Sequence, residues 1–217
     1  MPKLKIALTI KIETALSVGA GGSSGTLADK SILRDGLGQP IIPGSQVKGK
    51  TRWAIEQLLR TLGKDIPTPF EEDASRMEKK TLVKALFGTP QQRSPLRFAN
   101  LCTQEKQHQI RPAVSINRKR GTADESRLFF EESTIIGIRF AHEMAISGEL
   151  EDKRHAALLW AALRSIDRWG GAKSRGFGWA HVDAQVFVDG AEQSDDQLQK
   201  DLKELLEKVQ QQQEHPQ

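Results

Sequence analysis

Leu4, Ile6, Leu8, Ile10 and Ile12 occupy every second position of the opening segment MPKLKIALTIKIE, and Lys3, Lys5, Thr9, Lys11 and Glu13 fall mostly opposite. Side chains alternate faces along an extended chain, so this period predicts a strand with one buried and one solvated face. An apolar row of that kind needs neighbouring strands and a covering layer of helices. Val47, Ala54, Ile55, Leu58, Leu59 and Leu62 recur at helical spacing and predict a helix over about 45–62, closed by Gly63. Ala156, Leu159, Leu163 and Ile166 predict a second helix over 152–169, with Trp160 and Trp169 extending its core stripe. Val182, Ala184, Val186 and Val188 predict a closing strand. The order strand, helix, strands, helix, strand predicts an α+β, ferredoxin-like sheet with helices on one face.

The 217 residues suffice for one domain, read as 1–190, with insertions at about 64–80 and 103–135 and a polar tail at 191–217. Short strands are expected at Ser31–Leu33, at Ile41–Ile42, and over Pro95–Leu101 with Leu96, Phe98 and Asn100 on one face. A short helix is expected at Leu82–Phe87, and β-rich sequence at Leu128–Ile146 with Ile136, Ile138 and Phe140 alternating. In the tail, Leu198, Leu202, Leu205 and Val209 fit a marginal terminal helix.

Cys102 is the sole cysteine, which excludes an internal disulfide and a multi-cysteine zinc site. His108, His142, His155, His181 and His215 show no HxH, HxxxH or HExxH spacing, which argues against a histidine metal centre. The first residues alternate apolar and charged side chains and do not resemble a signal peptide; no run approaches about 18 apolar residues. These features predict a cytoplasmic protein without membrane contact. The formal net charge of +4 agrees with a polyanionic partner.

The stretch DKSILRDGLGQPIIPGSQVKGKTR, residues 29–52, joins an acidic loop to a basic helix start. Ser45 fits the N-cap position, and Lys48, Lys50 and Arg52 fall in the first two turns. Cations there oppose the helix dipole by about 0.3–1 kcal/mol each, a cost that a bound anion offsets. A second stretch, GGAKSRGFGW at 170–179, sets four glycines around Lys173, Ser174 and Arg175, so backbone amides and cations can both reach phosphate oxygens. It is neither a Walker loop nor a dinucleotide fingerprint; a long glycine-rich helix-to-strand connection is the alternative, which the presence of two such basic segments disfavours. Residues 103–127 form a long polar excursion with Arg118, Lys119, Arg120 and Gly121 at a hairpin-like tip. The Gly/Ser-rich segment GAGGSSG at 19–25 is a further candidate for close approach to a ligand.

The pairing of IIPGSQVKGKTR with GGAKSRGFGW resembles the RAMP superfamily of CRISPR-associated proteins. SVGAGGSSGTLADKSILRDGLGQPIIPGS and VSINRKRGTADESRLFFEE are similar to the backbone (Csm/Cmr-type) subunit of type III effector complexes. The resemblance covers residues 16–60, 110–140 and 165–185. It implies a ferredoxin-like RNA-recognition fold with an inserted thumb, copies aligned along a CRISPR guide RNA that binds target single-stranded RNA, and a thumb that kinks the guide–target duplex at regular intervals. Partners would be neighbouring RAMP subunits and the large and small subunits of the complex. Ser45, Gln46, Lys48, Lys50 and Arg52 would grip the guide with Lys173, Ser174 and Arg175, and Arg111, Arg118, Lys119 and Arg120 would belong to the thumb.

In catalytic members an aspartate upstream of the IPGS motif cleaves target RNA, and Asp29 matches that position; a turn or capping role is its alternative. RNA carries its own nucleophile, so a site need only align the 2′-hydroxyl and manage charge. Asp29 would take the 2′-hydroxyl proton or transiently hold Mg²⁺ or another divalent cation, which suits a lone carboxylate supplemented by phosphate oxygens. The family's thumb triplet often carries aspartate where this chain has Asn117. The implied function is a guide-binding subunit that is also a metal-dependent endoribonuclease; the alternative is a catalytically inactive structural subunit. A guide-processing enzyme of the same superfamily fits less well, because no histidine precedes His108.

Overall fold

The computed structural model describes residues 1–20, 28–64, 66 and 81–214. Strand β1 (Lys3–Ile12) is central, pairing antiparallel with β7 (Arg139–Glu149) on one side and β8 (Ala180–Val188) on the other. The expected alternation is realised: Leu4, Ile6, Leu8, Ile10 and Ile12 are all buried, while Lys3, Lys5 and Lys11 are exposed. Register places Ile6 between Ile146 and Val186, and Ile10 between Phe140 and Val182. Beyond β7 lie β3 (Leu96–Phe98) and β4 (Leu101–Cys102), and β2 (Ile41–Ile42) pairs with β4. β9 (Ala191–Glu192) continues the opposite edge beyond β8.

Two crossover helices cover the apolar face. Helix α1 (Gly44–Thr61) buries Val47, Ala54, Ile55 and Leu59, and α3 (His155–Arg164) packs against it and against β8. The short helix α2 (Leu82–Phe87) lies beside α1. Ignoring edge additions, the strands run β8–β1–β7–β3/β4 with α1 following β1 and α3 following β7, which is the ferredoxin-like βαββαβ plan. A separate two-stranded ribbon, β5 (His108–Asn117) with β6 (Thr122–Thr134), rises from this body with residues 118–121 at its tip. Among the described residues no helix is long and apolar enough to cross a membrane.

Several local expectations are corrected. Ser45 does not cap α1: the helix starts at Gly44 after Pro43, and the Gly44 N–H donates to Asn100 Oδ1 at 2.9 Å. Asn100 therefore leaves the expected Leu96/Phe98 row and sits between β3 and β4 as an acceptor. α3 is shorter than its periodicity predicts, because the chain after Arg164 turns to pair with residues 178–180. The Trp169 N–H donates to Gly178 O, and the Ala180 N–H to Asp167 O. Asp152 precedes the helix, its carboxyl held down to about pKa 2 mainly by the Arg154 side chain. Trp160 and Trp169 are core residues, but Ile136 lies in a turn and is 65% exposed. In place of a strand at 31–33, Ile32 makes an isolated bridge to Gly19, flanked by bridges at Lys30 and Arg34. The terminal helix α4 (Asp195–Glu214) buries Leu198 and Leu205, packs on α3, and is tied to it by Arg164–Asp195 at 2.7 Å. Most of the 64–80 insertion and residues 21–27 of the Gly/Ser segment lie outside the described residues.

Candidate nucleic-acid interface

The basic face of α1 and the glycine-rich loop meet. Lys50 lies against Lys173, and burial, followed by Lys173, lowers the Lys50 ammonium to about pKa 8. Asp167 pulls in the opposite direction without compensating. Two ammonium groups held together disfavour each other's charge, so the pair is set for an anion to join it. Lys50 also lies 5.7 Å from the centre of the Trp169 ring, the large buried side chain beneath. A cleft of about 300 Å³ opens here, lined on α1 by Gly49, Lys50 and Trp53, and opposite by residues 165–168 and Lys173.

Backbone geometry shapes the loop. Ala172 is left-handed, residues 173–175 make one 3-10 turn, and Gly176 and Gly178 take positive φ. Gly178 is fixed by space as well, since a Cβ there would stand 1.9 Å from Trp169 O. Its N–H donates to Ala15 O at 2.8 Å, pinning the loop to the chain just after β1. Arg168 donates to Lys173 O at 3.1 Å and stacks 3.8 Å from the Trp179 ring centre, closing the loop's flank.

The other predicted side chains take varied places. Ser45, Lys173, Ser174 and Arg175 are exposed, and Lys48 and Arg52 are half-buried. Arg52 donates to Glu56 at 2.7 Å, and the Gln46 amide oxygen is buried with no hydrogen-bond partner among the described residues. Arg175 makes two bonds, 2.7 and 2.8 Å, to the buried Glu131 carboxylate on β6. Arg111, on β5, stands opposite Glu131 in register and places its guanidinium 5.2 Å from the Phe177 ring centre. Arg111 thus joins the ribbon's base to the glycine-rich loop. Arg118, Lys119 and Arg120 stay apart at the exposed tip, where the Lys119 and Arg120 N–H groups donate to Asn117 Oδ1 at 3.0 and 3.2 Å. An amide oxygen serves this turn as a carboxylate would.

Asp29 lies at the same ribbon base. Its Oδ2 accepts the Phe130 N–H at 2.8 Å, and Lys30 makes a parallel bridge with Glu131. Glu132, buried next along β6, accepts the Ile32 N–H at 2.9 Å, pairs with Arg34, and has His108 Nε2 at 3.5 Å. One strand thus carries both ties: Glu131 reaches the glycine-rich loop and Glu132 holds the Asp29 segment. Neither carboxylate was marked by sequence reasoning, since the adjacent pair in FFEE reads as solvated until the packing around it is known. Trp53 and Arg168 were likewise unmarked. Among the described residues no three metal-ligating side chains converge, and the Asp29 carboxylate is exposed.

The sequence profile of the RAMP superfamily matches residues 9–181. No curated protein matches the chain in sequence. Among solved structures, a chain of the type III-B Cmr-beta complex bound to cognate target RNA, seen by cryo-EM, superposes with a TM-score of 0.60 at 16% identity. The match covers 86% of this chain and 60% of that one.

Proposed function

Because the chain belongs to the RAMP superfamily, we propose that it is a guide-RNA-binding backbone subunit of a type III CRISPR effector complex that also cleaves bound single-stranded target RNA. The observation that carries the guide-binding reading is the meeting of Lys50 and Lys173 from two distant basic, glycine-containing segments. Contacts run to phosphate and sugar, since a guide of any sequence must fit. Ser45, Gln46, Lys48, Arg52, Ser174 and Arg175 flank that pair, and Arg111 continues the surface toward the ribbon, which acts as the thumb. The fold likeness to a chain of the Cmr-beta complex, seen with target RNA, is consistent with this assignment.

Cleavage rests on Asp29. Its carboxylate is exposed at the thumb base, and the Phe130 N–H bond to Oδ2 fixes its direction. Placed against a kinked target strand, it would either accept the proton of the attacking 2′-hydroxyl or help to hold a divalent cation. Asp29 would hold Mg²⁺ together with substrate phosphate oxygens, and the ion would supply charge neutralisation there. The protein's own part is to orient: Glu132 and Arg34 hold the loop carrying Asp29, and Glu131 with Arg175 sets the distance from thumb to guide grip.

The same hydrogen bond favours a second reading. A carboxylate tied to a backbone N–H already has a structural task, as it would in a subunit that only holds guide RNA. Mapping target cleavage in the assembled complex with Asp29→Ala separates the two. Assembly with normal guide content and a loss of cutting of about 100-fold or more supports catalysis. Unchanged cutting at every position assigns Asp29 to structure alone.

A further inference from the structure

The chain's four tryptophans are not equivalent. Trp160 and Trp169 are core, and Trp179 is 38% exposed with Arg168 stacked on its ring, but Trp53 is 62% exposed on α1 with no stacking partner among the described residues. It lies one helical turn beyond Lys50 and Gly49, on the same face. A side chain added at Gly49 would meet nothing within 4 Å, so the floor between helix and loop is open. Trp53 therefore stands at the mouth of the roughly 300 Å³ cleft whose walls carry Lys50, Lys173, Arg168 and the opposing Asp167. That volume lies at the lower end of small-ligand sites.

We infer that this cleft is a one-nucleotide subsite, in which Lys50 and Lys173 take a phosphate and Trp53 stacks on the adjoining base. The inference rests on the guide-binding reading and adds to it a sequence-tolerant base contact. Every nucleobase presents a π-face, so an aromatic platform beside a cationic phosphate grip adds affinity without reading sequence. Trp53 is the aromatic that lines this cleft, since Trp169 is fully buried and the ring of Trp179 is already stacked by Arg168.

The test measures binding of the full-length chain to a short oligouridylate and to an abasic ribose-phosphate oligomer of the same length. Wild type should prefer the oligouridylate. Trp53→Ala should weaken oligouridylate binding about fivefold or more while leaving the abasic ligand unchanged, and Trp53→Phe should retain most of the preference. Equal losses on both ligands, or no loss on either, would overturn the stacking subsite. So would a Trp53→Ala chain with unchanged affinities and altered sedimentation, which would make Trp53 a contact between copies. Failure of the wild-type chain to bind either ligand would instead overturn the guide-binding reading, and this subsite with it. Lys50→Ala weakening both ligands while Trp53→Ala weakens neither would remove the subsite alone.

Discussion

Burial and the neighbouring Lys173 lower Lys50 to about pKa 8 from 10.5, and the consequences for pH have a definite sign. The folded, RNA-free chain releases this proton before the unfolded chain does. Charged Lys50 therefore opposes folding below pH 8, and the penalty fades as pH rises from there toward 10.5. A bound phosphate restores the charge, so binding takes up a proton in that window. RNA affinity should fall as pH rises past about 8, approaching tenfold per pH unit, while Lys50→Arg should flatten the profile because guanidinium does not titrate there. Oligouridylate titrations between about pH 7 and 9.5 measure this directly. Lys48, Lys50 and Arg52 were visible in sequence as costly cations at a helix start. That Arg52 answers to Glu56, and Lys50 to Lys173, follows from helix rotation and the loop's path, which composition does not encode.

At the scale of elements, β6 couples the two functional regions through adjacent buried carboxylates. Removing Glu132 strands Arg34 and the Ile32 N–H, and Glu132→Ala should cost about 1.5–3 kcal/mol in urea unfolding and reduce target cleavage even with Asp29 intact. The glycine-rich loop offers a paired test. Gly176→Ala meets open space and should cost only the left-handed strain of about 1–2 kcal/mol, whereas Gly178→Ala drives a Cβ into Trp169 O and should cost clearly more. Thermal unfolding of the two variants ranks them. The period-2 row of β1 was legible because burial repeats along it without interruption. α3 misled because Asp167 to Trp169 continue the helical pattern in sequence while their backbone pairs with residues 178–180, a long-range pairing that local pattern does not contain.

At the scale of the whole molecule, residues 29–34, Arg111, residues 130–132 and the 175–177 end of the glycine-rich loop meet at the thumb base, while Lys50 of α1 meets the same loop at Lys173. In the sequence, the basic segment at 45–52 and Asp29 are separated only by their distance along 29–52. The fold relates them through Arg175–Glu131 and the Lys30 bridge, so that each is placed by the thumb. The central claim is that Lys50 and Lys173 together bind RNA phosphate, and the most direct measurement is the salt dependence of single-stranded RNA affinity at pH 7. Relative to wild type, Lys50→Ala with Lys173→Ala should weaken binding uniformly across sequences and lower the slope of log affinity against log salt by about 0.7 for each phosphate no longer neutralised. An unchanged slope and affinity in the double variant would contradict it.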